Sequence, residues 1–81
     1  MSIFETPNID QVATGENLKH LRKKANISVK TVADFFCGDV SCSAIYGWEK
    51  GNYLPEISKL IALGCFYGGY TLNDLIVLTD I

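Results

Sequence analysis

The stretch SCSAIYGWEKG, at positions 41–51, gathers side chains that could form hydrogen bonds with a polar or anionic partner. It opens with Ser41, Cys42 and Ser43, and Tyr46 and the only tryptophan of the chain, Trp48, follow. Hydroxyl groups both donate and accept hydrogen bonds, and the free amides at the start of a helix attract phosphate. The stretch is therefore either a helix of the core or a helix that presents hydrogen-bonding groups to a partner.

Catalytic and metal chemistry is not indicated by the residue types or by their spacing. We recognise no Ser/His/Asp set, no paired carboxylates in a pocket and no glycine-rich phosphate loop, and we interpret Gly68-Gly69 as a helix break. The three cysteines form no C-x-x-C pair, and the chain has one histidine, so we expect reduced thiols and no metal site. The prediction is a protein that is not an enzyme and that uses no cofactor.

The length and composition indicate one small folded domain. The chain has 81 residues, of which 48% are hydrophobic and 20% charged. No apolar run approaches the ~20 residues of a membrane span, and the first residues lack the basic start and apolar stretch of a signal peptide. We therefore expect a cytoplasmic protein without a membrane partner.

The distribution of charge along the chain is more informative about possible partners than the net charge of −2. All seven Lys and Arg residues lie between Lys19 and Lys59, and residues 17–30 carry five positive charges and no acid. A protein that is acidic overall can still present one basic face. The alternative is that these cations only solvate a helix surface.

Helical spacing and capping residues predict the first helix. Leu18, Leu21 and Ala25 recur at helical spacing, Thr14 could cap the helix and Asn26 could end it. We expect residues 1–13 to form an N-terminal arm and residues 14–81 to form the domain.

Two further helices are predicted to follow in close succession. Ser28 is a good N-cap for a short second helix that runs to about Phe36. Ser41 can cap a third helix, in which Ile45 and Trp48 share the inner face, and Gly51 would end it with a positive φ.

The C-terminal third predicts two more helices. Pro55 suits the first turn of a fourth helix, which continues to about Tyr67. Thr71-x-x-Asp74 resembles a capping box and predicts a short fifth helix. The stretch LIVLTDI, at 75–81, could instead be a strand, because its β-branched residues favour extended structure. Five short helices in one small domain predict an all-α bundle.

The second and third helices have the layout of a helix-turn-helix, in which the second helix of the pair is held by one face and leaves the other free for the DNA major groove. Here Ile45 and Trp48 would hold the helix, and the small polar residues at its start would face the groove.

Several segments together resemble the Cro/C1-type (XRE) helix-turn-helix family of bacterial and phage repressor-like domains. The resemblance covers about residues 15–78 and includes LKHLRKKANIS, VADFF and AIYGWEKGNYLPEISKLIAL. Its most specific matches are Leu18-x-x-Leu21-Arg22, Ile45-x-x-Trp48-Glu49-x-Gly51, Leu54-Pro55 and Leu72-x-x-Leu75. The resemblance implies a five-helix, lambda-repressor-like bundle that binds double-stranded DNA.

The resemblance and the helix positions together select the candidate DNA-binding residues. Cys42 is either a plain small residue or an oxidant-sensitive thiol, and Tyr46 either contacts DNA or packs on Tyr53. Lys19, Arg22, Lys23 and Lys24 are ranked lower, as cations that flank the DNA backbone or only solubilise helix 1. The predicted DNA-binding residues are Lys30, Ser41, Cys42, Ser43, Tyr46, Gly47, Lys50 and Asn52.

The function predicted first is a sequence-specific transcriptional regulator, of the repressor type, that binds DNA as a homodimer. The predicted dimer surface on helices 4 and 5 comprises Cys65, Phe66, Tyr67, Tyr70, Ile76, Val77 and Leu78.

The alternative is a repressor-like fold that serves as a protein-interaction or dimerisation module, of the antirepressor or antitoxin kind. Val29 stands where the family often has a glutamine that touches the DNA backbone, and the turn FFCGDVS is longer than usual. Residues 41–47 contain no Arg, Gln or Asn, which are the usual side chains for reading bases.

Overall fold

The computed structural model describes residues 8–79 and contains five α-helices. In chain order these are α1 (Gln11–Lys24), α2 (Val29–Phe35), α3 (Cys42–Lys50), α4 (Ile57–Tyr67) and α5 (Leu72–Leu75). The described residues include one isolated β-bridge and no longer strand. The prediction of an all-α, five-helix bundle that contains a helix-turn-helix is confirmed.

Helix α1 begins at Gln11, four residues before the start that a Thr14 cap predicts. Asp10 is the N-cap, and its carboxylate accepts a hydrogen bond from the Ala13 N–H at 3.0 Å. The prediction that Thr14 caps the helix is wrong, because its buried hydroxyl bonds the C-terminal segment instead. It accepts from the Val77 N–H at 2.9 Å and donates to the Val77 carbonyl at 3.3 Å.

The predicted boundary between an arm (1–13) and a domain (14–81) stays a prediction. Residues 1–7 and 80–81 lie outside the described residues, whereas residues 11–13 belong to α1.

The caps of α2 and α3 are confirmed. The Ser28 hydroxyl accepts from the Thr31 N–H, and the Ser41 hydroxyl accepts from the Ala44 N–H, each at 3.1 Å. Gly51 ends α3 with a φ of +80°, a conformation that glycine adopts at little cost. The local sequence therefore determines where both helices of the pair begin and where the second one ends.

The predicted start of α4 is two residues too early. Glu56 is the N-cap and Pro55 precedes it, outside the helix. Gly68 and Gly69 both have positive φ and end the helix, as predicted.

Helix α5 and the segment after it combine the two alternatives that the sequence left open. The Asp74 carboxylate accepts from the N–H and the hydroxyl of Thr71, at 2.9 and 3.0 Å, so the capping box forms. After Leu75 the chain becomes extended, and Leu78 pairs with Ile9 in the antiparallel bridge. This bridge brings the two ends of the described chain together.

The core is built from the inner faces of all five helices. Ile45 and Trp48 of α3 are buried, which confirms their predicted role as the holding face of that helix. The buried hydrophobic residues are Leu18, Leu21, Val29, Val32, Val40, Ile45, Trp48, Leu60, Leu63, Tyr67 and Leu75.

Helices α1 and α3 approach each other so closely that their backbones touch at Gly15. A Cβ atom at this position would overlap the carbonyl oxygen of Trp48 and would lie 2.8 Å from that of Glu49. Both obstacles are backbone atoms, so neither can rotate away. Gly15 therefore determines how deeply α1 packs against α3.

We expect Gly15→Ala to lower the free energy of unfolding by about 1–3 kcal/mol, because the added methyl group forces the two helices apart. The measurement is urea denaturation followed by far-UV circular dichroism. Glu16→Ala, on the exposed neighbour in the same helix, is the control and should change stability little. Alanine is intrinsically a better helix former than glycine by about 1 kcal/mol, so a stabilised Gly15→Ala variant would contradict the close approach.

Candidate nucleic-acid interface

Helix α3 has an inner face in the core and an outer face that carries most of the predicted site. Ser43 and Lys50, on the side opposite Ile45, are both exposed. Tyr46 lies beside them and is 50% exposed. The helix therefore presents hydroxyl groups and one cation to the outside, while its other face is fixed.

A buried ion pair fixes α3 to α1. The Arg22 Nε atom donates to Glu49 Oε2 at 2.7 Å, and Arg22 Nη2 donates to Glu49 Oε1 at 3.1 Å. The third nitrogen, Nη1, donates to the carbonyl of Ile27 in the loop before α2, at 2.8 Å. One guanidinium group thus connects α1, the α1–α2 loop and α3.

This ion pair corrects the prediction for Arg22, which the sequence placed among the outward-facing cations of helix 1. Arg22 and Glu49 are both buried, since each neutralises the other in a bidentate geometry. A sequence signal was present, because Arg22 is four residues after the core residue Leu18 and so lies on the same helix face.

The ion pair favours the charged form of the guanidinium. The hydrogen bond that Arg22 donates to Glu49 raises the pKa of Arg22. Burial raises the pKa of the neighbouring Tyr67 phenol, and the negative charge of Glu49 raises it further. The phenol of Tyr67 on α4 therefore stays neutral across the ordinary pH range.

A second connection holds the C-terminal end of α3. The Gln11 Nε2 atom donates to the carbonyl of Gly51 at 2.8 Å, and a Cβ at Gly51 would meet the Val12 backbone at 2.7 Å. Gln11 is not among the predicted site residues, because the sequence pattern assigned residues 1–13 to the N-terminal arm. Both ends of α3 are thus held, by the Ser41 cap at one end and by α1 at the other.

The predicted site residues fall into three groups, which are exposed residues on or next to α3, exposed Lys30 on α2, and buried Gly47. Most of the start of α3 is exposed, although the Ser41 hydroxyl is already used in the cap. Lys30 is exposed on α2, where its ammonium lies 3.5 Å from the Asp34 carboxylate. The exposed predicted residues on or next to α3 are Ser41, Cys42, Ser43, Tyr46, Lys50 and Asn52.

Gly47 differs from the other predicted residues because it is buried. The Tyr53 ring lies over it, so that a Cβ at position 47 would be 2.5 Å from Tyr53 Cζ. Contact with DNA through any of the predicted residues stays a prediction.

The surface predicted for dimerisation is only partly exposed. Tyr67 belongs to the core, and Phe66, Tyr70 and Ile76 are partly buried against it. The large exposed apolar residues of α4 are instead Ile57 and Ile61, which are 64% and 51% exposed.

The described residues include neither a membrane-spanning helix nor a cluster of metal-ligating side chains. None of the helices within residues 8–79 has the length and apolar character needed to cross a membrane. The same part of the chain contains no group of three or more His, Cys, Asp or Glu side chains that could hold a metal ion.

A solved structure has a similar fold. The chain is similar to the crystal structure of the DNA-binding domain of BldD, with a TM-score of 0.69 and 21% sequence identity. The match covers 83% of this chain and 93% of that one. No protein-family profile and no curated protein matches the chain. The likeness shows a shared helix-turn-helix fold.

We expect Glu49→Ala to lower the free energy of unfolding by about 3–5 kcal/mol, because it leaves a buried guanidinium without its partner. Replacing both partners, as Arg22→Met with Glu49→Leu, should cost much less, since no charge is then buried. A double-mutant cycle by chemical denaturation measures the difference. Asp34→Ala, in the exposed pair with Lys30, is the control. If Glu49→Ala destabilises no more than Asp34→Ala, the ion pair does not hold α3.

Proposed function

We propose that this protein is a sequence-specific DNA-binding transcriptional regulator of the repressor type, which inserts α3 into the major groove. The observation that carries the proposal is the division of α3 into two faces. Ile45, Trp48 and the Glu49–Arg22 pair hold the inner face rigidly, while the outer face presents hydroxyl groups and Lys50. The likeness to the DNA-binding domain of BldD supports the proposal.

The proposed contacts follow from the chemistry of each group. Ser43 and Tyr46 carry hydroxyls that can donate to or accept from base edges. Lys50 and Asn52, at the end of α3, would bind phosphates, as would the amides at the start of the helix. Phosphate contacts supply much of the affinity, so binding should weaken with salt.

A homodimer is part of this proposal, because one helix reads only a few base pairs and a two-fold pair reads two half-sites. The described face that suits pairing is the α4 surface around Ile57 and Ile61, where two large apolar side chains one turn apart are exposed.

The alternative function is a protein-interaction module without DNA binding, and two observations favour it. Val29, at the position where the family often has a DNA-contacting glutamine, is buried in the core. The net charge of −2 also gives no general attraction to nucleic acid. On this alternative, the exposed Ile57 and Ile61 would bind a partner protein.

Selection of bound sequences from random DNA, at two salt concentrations, tests the first proposal. We expect one enriched sequence, with the logarithm of affinity falling by about 0.9 per neutralised phosphate for each tenfold rise in salt. The Tyr46→Ala plus Lys50→Ala variant should lose the enrichment and stay folded, because both residues are exposed. The matched control is His20→Ala plus Lys24→Ala, which removes one charge from the exposed face of α1. It should keep the enriched sequence, because the α1 cations at most flank the DNA backbone and carry no sequence information.

The outcomes separate the two functions. If wild-type protein enriches no sequence and binds no DNA at low salt, the regulator proposal is wrong. A partner protein whose binding is abolished by Ile57→Ser plus Ile61→Ser, and unaffected by the Tyr46 and Lys50 changes, would favour the interaction module.

A further inference from the structure

Gly47 occupies the outer face of α3, yet it is buried. Its neighbours one turn away on this face, Ser43 and Lys50, are both exposed. Gly47 is also opposite the core residue Ile45, so the core cannot be what covers it. Gly47 is covered by Tyr53, which belongs to the loop that follows α3.

The chain immediately after α3 directs Tyr53 back onto the helix. Gly51 reverses the chain with a φ of +80°. The Asn52 N–H then donates to the carbonyl of Gly47 at 3.0 Å, which fixes the loop one residue before Tyr53. Tyr53 is therefore placed by two backbone features of the helix end.

The phenol of Tyr53 fills the space that a side chain at position 47 would fill. The ring atoms Cζ and Cε1 lie 2.5 and 2.7 Å from the position of a Cβ at Gly47, and the hydroxyl oxygen is the nearest atom of all. This explains why glycine, which costs about 1 kcal/mol relative to alanine inside a helix, stands in the middle of α3. Any larger residue would displace the ring.

Tyr53 also remains accessible from the outside. It is 46% exposed, close to the 50% of Tyr46 on α3 itself. The outer surface of the helix thus carries two half-exposed phenols, although the sequence of α3 contributes only one of them.

We propose that Tyr53 is a specificity-determining DNA contact, whose hydroxyl replaces the recognition side chain that Gly47 lacks. This inference rests on the proposed DNA-binding function and deepens it. Gly47 lies one turn after Ser43, on the face that the proposed function places in the major groove, and a phenol hydroxyl there can both donate and accept a hydrogen bond. The loop thus supplies the recognition helix with a polar group at a position where the helix itself has none.

Tyr53→Phe tests the inference, because it removes the hydroxyl and keeps the ring over Gly47. We expect the selected DNA sequence to keep its overall pattern while discrimination at one base pair falls by about 2- to 10-fold, the worth of one hydrogen bond. Tyr70→Phe, which removes the same hydroxyl from the loop between α4 and α5, is the matched control and should leave the preference unchanged.

Gly47→Ala provides a second test that leaves the phenol intact but moves it. The added methyl group should displace the ring and alter the preference at the same base pair, and circular dichroism would check that the helices persist. Different base pairs affected by Gly47→Ala and by Tyr53→Phe would overturn the proposal.

The remaining outcomes are also decisive. Unchanged discrimination in Tyr53→Phe would make Tyr53 a packing residue only, and an equal loss of affinity for all sequences would make it a phosphate contact. Stronger binding by Tyr53→Ala would show that the ring shields the helix. Each of these overturns the inference while wild-type enrichment upholds the proposed function, whereas failure of wild-type protein to enrich any sequence overturns the proposed function itself.

Discussion

The bidentate ion pair between Arg22 and Glu49 is the constraint to which the rest of the structure is adapted. Removing both charges from water is costly, and good geometry with further hydrogen bonds is needed to offset that cost. Here the guanidinium uses Nε and Nη2 for Glu49 and Nη1 for the Ile27 carbonyl. These bonds form together only when α1, the α1–α2 loop and α3 have one relative arrangement, so the pair fixes the position of α3 against α1 and the loop that leads into α2.

Close backbone contacts between α1 and α3 further restrict the position of α3. Gly15 lets α1 touch the carbonyl groups of Trp48 and Glu49, and Gly51 turns the chain against Val12. Since such contacts have no flexible side chain between them, α3 cannot slide along α1 without a clash. A helix held in this way can keep hydrogen-bonding groups in a fixed geometry, which lowers the entropic cost of binding.

The outer surface of α3 carries short or stiff side chains where a recognition helix often carries long polar ones. It carries small hydroxyls and two phenols, Tyr46 and Tyr53, and no Arg or Gln in residues 41–47. Short and stiff groups lose little conformational entropy when they bind, but they reach less far than arginine or glutamine. A DNA partner would therefore have to approach the helix closely, and the exposed Lys50 at its end is suited to hold a phosphate at that distance.

The local features follow directly from the amino-acid sequence. The caps at Ser28 and Ser41, the stop at Gly51 and the inward face of Ile45 and Trp48 depend on residues close together in the chain. The roles of residues whose partners are far away in the chain become visible only in the folded protein. Arg22 is buried because α3 brings Glu49 to it, and Gly47 is covered because a loop folds back over it. Neither pairing has a local signature, since side-chain periodicity shows which face a residue occupies but not which group from another element will meet it.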